Sequence, residues 1–116
     1  MLPRNFHVLL KNVFPVQSKG EKGLTIHKVK SWTHLFEAAL AGTKTHDIRY
    51  MRERDYKVGD TMILQETDVG GQNYTGRELP VEITYITSKD NYCALSNEAL
   101  MPEYCIISFK KLPVIE

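Results

Sequence analysis

The spacing of apolar side chains changes period along the chain. Between residues 31 and 42, Trp32, Leu35, Phe36, Ala39 and Leu40 recur at intervals of three and four, the spacing of one stripe on a helix. The pattern predicts a helix over about 32–41. Ser31 is placed to accept a backbone N–H as N-cap, and Gly42 to stop the helix in the left-handed conformation. Trp32 then belongs first to the core-facing stripe, with ligand stacking as its other use. Further on the period drops to two. Leu79, Val81, Ile83 and Tyr85 alternate with Glu78, Pro80, Glu82 and Thr84, and Thr61, Met62, Ile63, Leu64 and Gln65 form a mostly apolar run, so both segments read as strands. Residues 57–60 read as a turn into the strand at Thr61, and residues 68–73 as the loop to a strand beginning near Arg77. Pro80 cannot donate to a ladder and predicts an edge or bulged position. Residues 104–112 give a last strand, with Cys105, Ile107 and Phe109 on one face and Tyr104, Ile106 and Ser108 on the other. Residues 6–13 are a further strand candidate, with Phe6, Val8 and Leu10 inward, and residues 17–23 read as a polar, mobile loop.

Five or six short strands and one main helix predict an α+β fold in which a small, strongly bent or closed sheet is plugged on one side by the helix. The 116 residues, 42% hydrophobic and 25% charged, suit one compact domain and exclude a disordered or collagen-like chain. No run of eighteen apolar residues occurs, and the first residues lack the pattern of a signal peptide, so the expected compartment is the cytoplasm. Cys93 and Cys105 are expected to be free thiols. His7, His27, His34 and His46 have no metal-ligand spacing, and neither a metal nor a cofactor is predicted.

Charge changes the picture more than composition does. The net charge of +1 conceals an uneven distribution, because residues 1–30 hold six lysines and arginines against Glu21 alone, a surplus of five. A basic end on a near-neutral domain can seat a polyanion by releasing its counterions, or it can be a solvated arm without a partner. The densest polar stretch is 42–56, directly after the predicted helix. If residues 45–50 form a strand, Thr45, Asp47 and Arg49 share one face, and His46, Ile48 and Tyr50 the other. Asp47 beside Arg49 can hold the guanidinium in a fixed fork that suits a phosphate or a base edge, and Lys44 adds a mobile point charge. The same residues read equally well as an ion pair that decorates a strand.

These residues also carry a resemblance. Gly42, Lys44, Asp47 and Arg49 follow the pattern Gly-x-Lys-x-x-Glu-x-Arg of ASCH domains, members of the PUA-like superfamily, with Asp47 where Glu is usual. His27 with Lys30, then Arg54, Asp55 and Tyr56, then Gly59 and Asp60, and finally Tyr74, Thr75, Gly76 and Arg77 resemble, in that order, the small ASCH-like domains of unknown function common in phages and bacteria. The resemblance spans about residues 25–110. It implies a PUA-like β-barrel of residues 24–116, with residues 1–23 as a basic extension, and a cleft between helix and barrel that holds RNA or a modified nucleotide. Most such domains are similar to RNA-binding modules, while a few similar small proteins hydrolyse the acetyl amide of acetylcytidine or cleave RNA. In the deacetylating members a lysine at the position of Lys44 activates a threonine at the position of Asp47, assisted by a glutamate of a later strand, for which Glu78 and Glu82 are both candidates. A carboxylate at position 47 cannot play the hydroxyl's part in the same way, and Thr45 or a water would have to replace it.

Three readings follow. The first is a binding protein for RNA or a nucleotide, with Lys44, Thr45, Asp47, Arg49 and Arg54 in the cleft and Arg77 and His27 at its rim. Trp32, Tyr50, Tyr56 and Tyr74 supply further rings on which a base could stack, although packing is favoured for Tyr56 and for Tyr85. The second is a small hydrolase or ribonuclease using Lys44 and Asp47 as its catalytic pair. The third is a protein-interaction module of phage type, in which the basic arm and the loop at Gly70 and Gly71 bind a protein partner.

Overall fold

The computed structural model describes residues 25–52 and 54–113; the proposed basic extension at 1–23 and the strand and loop candidates within it lie outside the described residues. The elements run in the order β1 (Ile26–Trp32), α1 (Thr33–Ala41), β2 (His46–Tyr50), β3 (Thr61–Thr67), β4 (Tyr74–Thr87), α2 (Ser96–Ala99) and β5 (Tyr104–Lys111). The five strands form one sheet in the order β1-β3-β4-β5-β2. It curls into a half-barrel rather than closing, a mostly β arrangement within the predicted α+β class.

The topology follows from one parallel pair. β1 runs parallel to β3, and every other pairing is antiparallel. Parallel neighbours need a crossover. Here the crossover carries both α1 and β2, so β2 is delivered to the edge opposite β1. Register shifts between Gln65 and Thr67 and between Ile83 and Tyr85 mark bulges that add local twist and bend the sheet.

The core lies on the concave face. Met62 and Leu64 of β3, Val81 and Ile83 of β4, and Cys105, Ile107 and Phe109 of β5 are buried there, with Val29 of β1, and α1 covers them through Phe36 and Ala39. A fully buried side chain of this size contributes about 1.5–3 kcal/mol, so this layer is the main source of stability. The helix ends as expected: Gly42 has φ 86°, and the N–H groups that follow Ala41 return to Ala38 and Ala39 carbonyls.

Several expectations are corrected. The helix starts at Thr33, with Trp32 in extended conformation as its N-cap and no side-chain cap bond, so Ser31 is a strand residue. Trp32 accordingly leaves the core stripe and stands 41% exposed. Tyr85 leaves the inward row because the bulge after Ile83 changes the parity of β4; Tyr85 is 55% exposed, and Ile86 packs against the core in its place. Pro80 lies in the middle strand of the sheet, not on an edge. Its carbonyl accepts the Leu112 N–H, so its nitrogen faces the place where β5 has just ended at Lys111, and no ladder donor is missed.

His27, expected at a cleft rim, is buried within β1. Its Nε2 donates to Asp60 Oδ2 at 2.7 Å, and its ring lies 4.8 Å from that of Tyr56. Asp60 is 1% exposed and also accepts the backbone N–H groups of Thr25 and Lys57 at 3.2 and 3.0 Å. The Lys57–Asp60 turn is thereby tied to the start of β1. Asp60→Ala leaves three donors without their acceptor and is expected to destabilise the fold by about 3 kcal/mol, read as the shift in urea midpoint at neutral pH. An unchanged midpoint would show that water replaces the carboxylate.

Candidate functional site

An open half-barrel leaves two strand edges facing each other across a seam, here those of β1 and β2. In β2 the side chains of Asp47 and Arg49 point to the concave side, where their partners in β5 are Ile107 and Cys105. The Arg49 guanidinium crosses the seam: its Nη2 donates to the Lys30 carbonyl of β1 at 2.8 Å and to Asp47 Oδ2 at 3.1 Å. Lys44, in the turn after α1, donates through Nζ to Asp47 Oδ1 and to the His46 carbonyl. One carboxylate therefore organises two cations. All three side chains are mostly buried, and the Arg49 Nε is buried with no acceptor among the described residues. Side by side lie a satisfied fork and an unmet donor.

Above this cluster the seam opens into a cleft of about 270 Å³ lined by Lys30, Ser31, Trp32, Leu35, Asp47, Ile48 and Arg49. Its walls come from β1, the first turns of α1, and β2. Trp32 stands at the mouth because the chain turns there from strand to helix, and His34 lies beside it with ring centres 6.3 Å apart. Lys30 is drawn to the β3–β4 loop, where its Nζ donates to the Gly71 carbonyl at 2.8 Å and lies 5.7 Å from the Tyr74 ring centre. That loop is held by Asp68, whose carboxylate accepts from Asn73 Nδ2 and from the Gln72 and Asn73 backbone; the Asn73 side chain and these N–H groups lower its pKa. A second hollow, of about 120 Å³ beside α2, is lined by Ser88, Lys89, Ser96, Asn97, Leu100 and Pro102 and has neither an aromatic ring nor an arginine.

The structure brings together Lys44, Asp47 and Arg49, with Thr45 exposed at the start of the same face. It takes the other expected residues elsewhere. Arg54 donates to the Lys28 carbonyl at 2.9 Å, lower on the β1 edge. His27 lies in the Asp60 pair. Arg77 is engaged by two carboxylates, Glu66 and Glu37, and stacks on Phe36 with 5.0 Å from guanidinium to ring centre. Of the two glutamates expected as a later carboxylate, Glu78 accepts from Gln65 and Glu82 lies 3.9 Å from Lys110. The apolar pattern does not mark Glu66, since an acidic residue near the end of a strand reads as solvated; its parity with Met62 and Leu64 is the signal that places it inward.

Glu66 is 3% exposed and accepts Arg77 Nε at 2.8 Å and the Thr75 hydroxyl at 2.6 Å. The Arg77 hydrogen bonds, then that of Thr75, pull its pKa from 4.5 down to about 2 against the opposing effect of burial. A carboxyl whose folded pKa is depressed stabilises the fold above its unfolded pKa and loses that contribution as pH falls through the folded value. Stability is therefore expected to decline from about pH 4.5 towards pH 2, and Glu66→Gln to flatten that part of the curve. Urea midpoints at pH 7, 4 and 2.5 provide the check; equal slopes in both proteins would contradict the assignment.

Among known proteins, the chain is similar to an uncharacterized 12.9 kDa protein in the GpA 3' region of Escherichia phage P2, with 36% identity over 67 residues. That match covers 58% of this chain and spans 59% of the phage protein's length. The family described as "Domain of unknown function (DUF3850)" matches residues 26–109, the stretch that contains the five described strands, except the last two residues of β5, and the seam cluster. The chain belongs to this family of domains of unknown function.

Proposed function

We propose that the chain binds RNA or a modified nucleotide in the seam cleft, as its resemblance to ASCH domains of the PUA-like superfamily implies, with Lys44, Asp47 and Arg49 as the anchoring group. The observation that carries the reading is the convergence of these three side chains beside an open cleft of about 270 Å³. One carboxylate shared by two cations leaves a local surplus of positive charge, suited to a phosphate. The unmet Arg49 Nε is a donor for which a ligand oxygen is a better partner than none. Trp32 offers a ring face at the mouth, and Thr45 a hydroxyl beside the cluster. Arg54 and Arg77 are the weaker members of the set, because a backbone carbonyl and two carboxylates already occupy them.

Binding is favoured over hydrolysis on two counts. Position 47 holds a carboxylate, and Lys44 already donates to two oxygens, which leaves it poorly placed to take a proton from a nucleophile. The test is binding of a short single-stranded RNA and of cytidine monophosphate by the native chain, Lys44→Ala and Arg49→Ala at low and moderate salt. Each substitution is expected to weaken binding about tenfold at low salt, the loss of one charge-assisted contact, and to reduce the salt dependence. Equal affinities in all three proteins would overturn the reading. Turnover of acetylcytidine or of the RNA, followed by chromatography and lost in Lys44→Ala, would replace it with the hydrolase.

A further inference from the structure

The outer face of the strand that carries the anchoring group presents a second surface. His46, Ile48 and Tyr50 of β2 point away from the core, and the register sets Ile48 opposite Ile106 and Tyr50 opposite Tyr104 of β5. The Tyr50 and Tyr104 rings lie 5.3 Å apart at a tilt of 53°. Beyond β5, Tyr85 of β4 lies opposite Ser108, turned outward by the bulge. Ile48 is 60% exposed, and Tyr85 and Tyr104 also reach solvent. An apolar and aromatic ledge that extends to an unpaired sheet edge is the kind of surface that proteins normally blunt or use.

Charge decides which use. The outward positions of β2, β5 and the part of β4 after the bulge include no aspartate or glutamate. Arg52 lies 5.9 Å from the Tyr50 ring centre and has no carboxylate partner among the described residues. Lys110 closes the far end, with Glu82 at 3.9 Å. Ile48 belongs both to this ledge and to the lining of the seam cleft, so the two surfaces are continuous. A second copy packed face to face on the ledge would bring like cations together, because a twofold contact pairs each patch with itself. Rings flanked by cations suit the π-faces of bases and the phosphates between them.

We infer that the ledge is a second nucleic-acid subsite, on which bases of a single-stranded RNA leaving the cleft stack against Tyr50, Tyr104 and Tyr85. This rests on the cleft's binding RNA, and adds that affinity grows with strand length because the chain passes over β2 from the concave to the convex face. From Ile48 to Tyr50 is two residues, about 7 Å along the strand, so Tyr104 lies within reach of the first nucleotides beyond the cleft.

The experiment compares a three-nucleotide and a twelve-nucleotide single-stranded RNA by fluorescence anisotropy. The native chain is expected to hold the longer RNA at least tenfold more tightly. Tyr104→Ala and Tyr85→Ala are each expected to weaken the twelve-nucleotide RNA about fivefold or more and to leave the three-nucleotide RNA unchanged, with Tyr104→Phe retaining the native values. Arg49→Ala is expected to weaken both RNAs. Tyr85 is exposed, so its variant keeps the proposal testable should Tyr104→Ala fail to fold. Equal affinity for the two lengths, or a length effect that survives both alanine variants, would overturn the ledge and leave the cleft standing. Failure of both RNAs to bind would overturn both. Concentration-dependent dimerisation that Tyr104→Ala abolishes, without change in RNA affinity, would assign the ledge to a second copy instead.

Discussion

The backbone leaves one seam of the sheet open, and a side chain bridges it. Five strands curl without pairing β1 to β2, and the Arg49 guanidinium spans the gap by donating to the Lys30 carbonyl. An unpaired edge normally invites another strand, and here Arg49 and Arg54 occupy the outward carbonyls of Lys30 and Lys28. The bridge made by Arg49 is a side chain and not a ladder, so the gap beside it remains wide enough for a cleft. Asp47 fixes this arrangement by holding Arg49 on one oxygen and Lys44 on the other.

The opposite ends of the half-barrel's concave face are treated differently. At the start of β1 the buried His27 and Asp60 satisfy one another and two backbone donors, which ties the turn before β3 to the β1 edge. Near the other end Glu66 is paired with Arg77, under the first turns of α1. Both pairs satisfy polar groups that lie close to apolar packing, and neither faces the cleft as an unsatisfied group. Among the described residues, only the Asp47 cluster combines buried charge, an unmet donor and open space. That contrast, more than the number of basic residues, directs the functional reading to the seam.

Much of this was legible from spacing, and the exceptions have physical causes. The stripe of Phe36 and Ala39 and the left-handed Gly42 mark α1, and the alternation of Cys105, Ile107 and Phe109 marks β5. β1 leaves no such mark, because its inward side chains are His27, Val29 and Ser31, only one of them apolar, so no period of two stands out. Its histidine is satisfied by Asp60, thirty-three residues away, a pairing that local pattern does not encode. One bulge turns Tyr85 outward against the alternation, since a single extra residue reverses the parity of all that follow. Lys44, Asp47 and Arg49 could be read as a cluster because they share one turn and one strand face. That Arg77 belongs to Glu66 and Glu37 required tertiary contacts across three elements.

The most direct measurement is of the Arg49 guanidinium itself. In nitrogen-detected magnetic resonance of the arginine side chains, Arg49 is expected to show hindered rotation and slow exchange with water in the free protein, and its resonances to move on addition of cytidine monophosphate. A freely rotating Arg49 guanidinium, unmoved by the nucleotide, would contradict both the seam bridge and the site built on it.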